Sequence, residues 1–325
     1  MVDNPEIHGL VIRTTGSWYN VLLPDGTVFP CRLRGNFRIR GSKQTNPVAV
    51  GDRVVFQILS DGTGFITEIE ERHNCIIRRA TKLSKQTHVI AANIDLMCIV
   101  ATLGLPRTST GFIDRLLVTA EAYHIPAVIV FNKCDLYDDE LWTIHNEIKA
   151  IYEGAGYPVF EVSALTGQGV ETIKELITGK VTLFTGHSGV GKSALLNAID
   201  PSLHLKVGEI SDWSLKGKHT TTFAEIFPIN LNNSTTQQLN NSTFLIDTPG
   251  IKEFGMVDFT PEELSHFFPE MRSRLHDCHF ANCTHCHEPG CAVKVAVEKG
   301  EISPERYQNY LNILDSIESD YPLRR

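Results

Sequence analysis

The sequence predicts an α/β protein of three domains: a small β-barrel, a doubly wound α/β domain built around a phosphate-binding loop, and a short Cys/His-rich helical domain. Three observations predict it. Short β-rich runs with turn signals fill residues 7–72, apolar strands alternate with helices from about residue 93, and four cysteines crowd into 278–291. The expected boundaries are 1–75, 76–258 and 259–325.

The N-terminal runs are GLVIR, WYNVLL, TVFPCRL, DRVVFQIL and GFITEIEE, with Asp-Gly turns at 25–26 and 61–62. Strands this short at this spacing suggest a closed barrel of the OB type. The segment 32–43 carries Arg32, Arg34, Arg38, Arg40, Lys43 and Phe37 and no acid. Cationic loops interleaved with an aromatic are the equipment of nucleic-acid binding, and a solvated basic loop is the plainer alternative.

Charge follows the same division. The 325 residues carry 30 Lys+Arg against 38 Asp+Glu, a net charge of −8, yet residues 1–90 sum to +4 and the remainder to −12. A basic front on an acidic body points to a polyanionic partner met by one part of the molecule. Composition (42% hydrophobic, 21% charged) excludes collagen, coiled coil and wholesale disorder. No apolar run reaches the roughly 18 residues of a spanning helix, and the N-terminus lacks a secretory pattern, so a cytoplasmic protein without membrane contact is expected.

From residue 94 the strands IDLMCIVAT, PAVIVFNKCD, YPVFEVSA, VTLFTG and STFLIDTPG alternate with helices, including 139–154 and 170–177. This alternation implies a parallel sheet with ligands at the C-terminal strand ends. At one such end stands GHSGVGKS: Gly186, His187, Ser188, Gly189, Val190, Gly191, Lys192 and Ser193, followed by Ala194. Its glycines let backbone N–H groups wrap phosphates, Lys192 would neutralise their charge, and the Ser193 hydroxyl would bind Mg²⁺.

Two further strand ends carry NKCD and SAL. The Asp135 carboxylate can accept two hydrogen bonds from a guanine edge, which adenine does not offer as a pair. Asn132 is expected at the base edge and the neighbouring loop, the Lys133 stem over the base face, and the Ser163–Ala164 backbone at the guanine carbonyl. DTPG ends the strand FLID, where Asp247 would hold Mg²⁺ through water and the Gly250 N–H would meet the γ-phosphate. Thr221 in KGKHTTT is the expected third Mg²⁺ contact.

These parts resemble the motifs of TRAFAC-class GTPases, but in the order NKCD, SAL, GHSGVGKS, HTTT, DTPG, which is a circular permutation. The helix ending at Ile177 reaches the phosphate-loop strand through Thr178, Gly179 and Lys180 alone, which closes the permuted chain. Ile251 stands where many such enzymes carry glutamine, so the water-positioning group must lie elsewhere; His219 is the first candidate and His187 the second. The new chain break leads from DTPG into the C-terminal domain, where Thr260–Glu263 forms a capping box.

There, Cys278-x4-Cys283-x-His285-x5-Cys291 offers three thiolates and an imidazole, a closed tetrahedral set suited to one structural Zn²⁺. Cys286, His279 and His287 are spare donors. The polar surroundings suggest a subdomain that cannot build a core unaided. Tyr307, Tyr310, Leu311, Leu314 and Ile317 form an apolar stripe on the last helix, read as core packing.

Over nearly its whole length the chain resembles the RsgA (YjeQ) family of small-ribosomal-subunit-dependent GTPases. The resemblance implies GTP hydrolysis to GDP stimulated by the small subunit, a role in its late maturation, and rRNA contact through the barrel and the zinc domain. One chain holds every part, so a monomer is expected. A nucleotide-gated RNA-binding module with little hydrolysis, or a permuted GTPase of large-subunit assembly, are the alternatives.

Overall fold

In the computed structural model, which describes residues 6–33, 47–79, 87–205, 225–229, 231, 242–247 and 260–320, five strands build the N-terminal barrel. They are β1 (Ile7–Thr15), β2 (Trp18–Leu22), β3 (Val28–Leu33), β4 (Arg53–Ile58) and β5 (Gly64–Ile69). Their order is β1-β2-β3-β5-β4, and β4 pairs back onto β1 to close the barrel. All pairs are antiparallel except β3 with β5. Alternate residues point inward, and Val11, Tyr19, Val21, Cys31, Phe56 and Ile66 fill the interior. The Asp-Gly turns form as the sequence suggests: Asp25 and Asp61 accept from the backbone N–H of Thr27 (2.8 Å) and Thr63 (2.9 Å).

A hairpin of β6 (Cys75–Arg79) and β7 (Thr87–Ala92), not expected from the sequence, follows the barrel. The α/β domain then runs β8 (Leu96–Ala101), α1 (Thr110–Ala122), β9 (Ala127–Phe131), α2 (Asp139–Gly154), β10 (Val159–Glu161), α3 (Val170–Ile177), β11 (Val181–Thr185), α4 (Lys192–Ile199), β12 (Glu225–Ile229) and β13 (Thr243–Asp247). The three-residue join between α3 and β11 has the length the permuted order requires.

Strand β8 shows why this sequence makes a doubly covered sheet. All its residues are buried, with Met97, Ile99 and Ala101 on one face and Leu96, Cys98 and Val100 on the other. The first face packs under α1 and α2 through Ile113, Leu117, Ile148 and Tyr152; the second packs under α3 and α4 through Ile173, Ile177, Leu195 and Ile199.

The sheet departs from the expected all-parallel arrangement at one side. Its order is β10-β9-β8-β11-β13-β12, parallel as far as β13, but β12 is antiparallel to β13. An antiparallel pair needs no crossover connection. Strand β12 also pairs with β1 at Arg13↔Glu225, so the sheet continues into the barrel wall.

The C-terminal domain opens with a 3₁₀ helix, Pro261–Phe267, held by the Thr260–Glu263 capping box. It continues through α5 (Pro269–Arg272), α6 (Ala292–Glu298) and α7 (Pro304–Asp320). The α7 stripe is core: Tyr310, Ile313, Leu314 and Ile317 pack with Leu264, Phe268, Met271 and Val293, and Val118 of α1 joins them. Cys283 and Cys291 are themselves members of the apolar cluster.

Candidate nucleotide site and metal centre

Three loops at the C-terminal ends of β9, β10 and β11 converge, and Asn132 is the residue that joins them. Its buried side chain donates to the carbonyls of Val190 (2.9 Å) and Gly191 (3.4 Å) and accepts from the N–H of Ala164 (3.1 Å). Both ends of the amide are therefore engaged by neighbouring loops. The Ala164 N–H, expected at a guanine carbonyl, is directed at Asn132 instead. Ser163 is buried and caps the same turn through Thr166 N–H (3.1 Å).

Lys133 adopts a left-handed backbone (φ +66°) that swings its side chain across the phosphate loop. Its ammonium donates to Gly189 O (2.8 Å) and Leu105 O (2.9 Å). Asp135 follows, exposed, on the single turn Cys134–Leu136.

The phosphate loop needs its glycines for steric reasons. Gly186 (φ +146°) and Gly191 (φ +89°) lie where a Cβ would stand 2.2 Å from Val100 O and 2.4 Å from Asn132 Nδ2. The loop opens α4, whose first turn carries Lys192 and Ser193 and the positive end of the helix dipole. Lys192 Nζ donates to Gly186 O and His187 O, both at 2.7 Å, so its charge lies inside the loop's curve. Val190 is fully buried beneath the loop, and Ser188 and Ala194 are half-buried in it. Asp247 ends β13, the parallel neighbour of the strand that feeds the loop. His219, Thr221 and Gly250 lie outside the described residues.

His187 does not project freely. Its ring stacks on Phe112 of α1, with centroids 3.5 Å apart and planes at 24°. Sequence reasoning missed Phe112 and the segment 102–109, where Pro106 lies beside Gly189 and Leu105 O receives Lys133. The signal was present: Gly104 and Pro106 mark a loop at the C-terminal end of another parallel strand.

On the barrel, the exposed Arg32 lies 3.7 Å over the ring of the half-buried Trp18, a cation–aromatic pair in which only the arginine was anticipated. Arg34, Phe37, Arg38, Arg40 and Lys43 lie outside the described residues.

In the C-terminal domain the donor atoms of Cys278, Cys283, His285 and Cys291 all lie within 4.8 Å of one another. His285 Nδ1 is 3.4 Å from Cys291 Sγ and 3.7 Å from Cys278 Sγ. Ligands around a tetrahedral Zn²⁺ stand about 3.3–3.8 Å apart, given Zn–S near 2.3 Å and Zn–N near 2.0 Å, so the set fits that ion. Burial pushes the Cys283 thiol up to about 12 and the Cys291 thiol upward, so a bound cation would displace their protons.

The loop carrying these ligands is fixed around them. The Glu288 carboxylate accepts from Thr284 N–H and Oγ1 (both 2.7 Å) and Cys286 N–H (3.1 Å). Those bonds outweigh its burial and hold it at about 2. Tyr307 and Tyr310 donate to the carbonyls of His285 (2.6 Å) and Thr284 (2.7 Å). Cys286 Sγ faces Thr284 O instead, and neither His279 nor His287 joins the group.

Comparison with known proteins agrees along the chain. The RsgA N-terminal domain model matches residues 8–66 and the RsgA GTPase model residues 69–257. A Bacteroides fragilis protein named small ribosomal subunit biogenesis GTPase RsgA is 51% identical over 310 residues, 95% of this chain and 97% of that one. A protein of the same name from Christiangramia forsetii is 48% identical over 318 residues, 97% of this chain and 98% of its own. Among solved structures, YjeQ from Thermotoga maritima matches with a TM-score of 0.77 and 36% identity, covering 96% of this chain and 99% of that one. YloQ, described as a circularly permuted GTPase, matches with a TM-score of 0.73 and 31% identity over 97% and 96% of the two chains.

Proposed function

The chain belongs to the RsgA GTPase family, and on that premise we propose that it hydrolyses GTP to GDP and phosphate in the biogenesis of the small ribosomal subunit, whose binding stimulates turnover. The observation that carries the nucleotide reading is Asn132, one side chain bonded at once to the phosphate loop and the SAL loop. An amide in that position registers the base-recognition loops against the phosphate loop. A guanine nucleotide spanning them is held at both ends.

In this reading the loop N–H groups of 186–191, Ser188, Lys192 and the α4 dipole hold the phosphates, and Asp135 reads the guanine edge. A phosphoryl-transfer site of this type works by positioning and by charge, since little covalent chemistry falls to the protein. Lys192, already inside the loop, offsets charge developing on the bridging and γ-oxygens. Ser193 and Asp247, at the ends of adjacent elements, together with Thr221, would hold Mg²⁺, which supplies further charge neutralisation when bound. His187 is occupied by Phe112, which favours His219 as the group that orients water. Cys278, Cys283, His285 and Cys291 hold one structural Zn²⁺, with no open position for chemistry.

The barrel supplies the rRNA contact, through the Arg32–Trp18 pair and the basic segment that follows. The protein acts as a cytoplasmic monomer; no described helix is long and apolar enough to cross a membrane. The test is GTP turnover with and without purified small subunits. Turnover that rises only with small subunits supports the reading. Equal stimulation by large subunits, or none by either, refutes it. Asp135→Asn should transfer preference from GTP toward xanthosine triphosphate, read by competition against labelled GDP.

A further inference from the structure

We propose that the first turn of α1 is the element that fixes the phosphate loop, and that α7 of the C-terminal domain fixes that turn, making Phe112 and Asn309 positioning residues of the nucleotide site. The proposal rests on reading residues 186–193 as the phosphate loop.

The turn is clamped from two sides. On one, Phe112 stacks face to face on His187. His187 also provides a carbonyl that receives Lys192 Nζ, so displacing this residue displaces the phosphate-facing ammonium. On the other side, Thr110 Oγ1 donates to Glu305 (2.6 Å), and Asn309 Nδ2 donates to Asp114 (2.7 Å) and approaches Thr110 Oγ1 (3.2 Å). At 100° per residue, Thr110, Gly111 and Asp114 share one face of α1, and Phe112 lies on the opposite one.

The packing against α7 is close. A Cβ at Gly111 would stand 3.2 Å from Asn309 Oδ1, so glycine leaves room for the side chain there. The turn is also anchored at its start: Ser109 Oγ accepts from Phe112 N–H (3.3 Å), and Thr108 and Thr102 bond each other twice (2.8 and 3.1 Å). That segment reaches the phosphate loop again through Pro106 beside Gly189.

A phosphate cradle of backbone N–H groups binds tightly when its geometry exists before the ligand arrives, because ordering it on binding costs affinity. Loosening α1 should therefore appear as faster nucleotide release. By linkage, nucleotide binding should tighten the docking of α7 by the same factor.

The experiment is a cycle with Phe112→Leu, Asn309→Ala and their combination, reading dissociation of a fluorescent GDP from the full chain, with thermal melts alongside. Each single substitution should speed release roughly fivefold, a coupling of the usual allosteric size. The pair should be no worse than the more severe single. Phe112→Tyr keeps the stack and should restore the wild-type rate. If Asn309→Ala unfolds the domain, Thr110→Val tests the same contact with little change of volume. Wild-type release from either single, or penalties that multiply in the pair, overturns the proposal. Lys192→Ala separates the premise: if it leaves GDP affinity intact, the phosphate-loop reading itself fails, and this proposal with it.

Discussion

Toward the barrel, the α/β domain is joined by main-chain pairing at the β1–β12 edge, by an apolar cluster that takes in Leu10, Leu22 and Val50 of the barrel with Ile94 and Ile226, and by a polar cleft. That cleft, about 490 Å³, is lined among others by His8, Arg53, Glu70, His73 and Asp95. Its histidine–carboxylate contacts, His8–Glu70 (2.9 Å) and His73–Asp95 (3.6 Å), are partly exposed. Toward the C-terminal domain, the join has at its centre side chains shut away from water, with the exposed Arg272–Glu121 pair (2.8 Å) beside them. Arg306, 2% exposed, bonds Asp114 at 2.5 Å and Glu270 at 2.7 and 3.0 Å. Its guanidinium faces the rings of Phe268, Tyr152 and Tyr157. Burial opposes the charge on Arg306, but the two carboxylates more than compensate and hold its pKa above the ordinary value.

The difference has a physical consequence. Partly exposed pairs are weak and screened by salt, so the polar side of the barrel seam adds little to the apolar cluster beneath it. A buried cation between two carboxylates has no low-energy open state, so the α/β and C-terminal domains should behave as one body. The shared core, in which Val118 of α1 packs among the residues around the metal centre, points the same way.

The largest effect that sharpens this contrast is expected at Arg306. Arg306→Ala leaves Asp114 buried without its cation and should cost about 3–5 kcal/mol in urea unfolding. A loss below about 1 kcal/mol would break the comparison, since it would make the buried seam equal to the exposed one. Replacing the group by Arg306→Met with Asp114→Leu and Glu270→Gln should cost much less than the single substitution, because no charge is stranded.

Chelation comes next. Removing the cation should lower the melting temperature and expose 278–291 to protease, while the apolar cluster of α6 and α7 keeps part of the domain folded. Complete unfolding of 260–320 would show that the core cannot stand without the metal. The smallest effect belongs to the barrel seam: His8→Ala with Glu70→Ala should cost under about 1 kcal/mol and less still at high salt.

Much of the site was legible because its chemistry is local. GHSGVGKS, NKCD and SAL each occupy one loop, and loops at strand ends inherit their position from the strands. The α7 stripe and the Thr260 capping box were legible for the same reason, being set within a few residues. Other features were not. Strand β12 is not among the strands expected from the sequence, and only its hydrogen bonds to β13 show that it runs antiparallel. The stack of Phe112 on His187 joins positions 75 residues apart in a chain with no local pattern linking them. The Asp114–Arg306 contact spans a separation of 192.

The sequence by itself determined most of the element types, the permuted motif order, the three-residue closure and a Cys/His set able to hold a metal ion. Each follows from side-chain periodicity, turn chemistry or ligand spacing, which act over a few bonds. Only the tertiary structure decided that β12 carries the sheet into the barrel, that Asn132 holds three loops together, and that α1 lies clamped between the phosphate loop and α7. Those outcomes depend on which buried polar groups find partners across the fold. That choice is made by the packing of whole elements, where an unpaired amide or charge costs too much to remain.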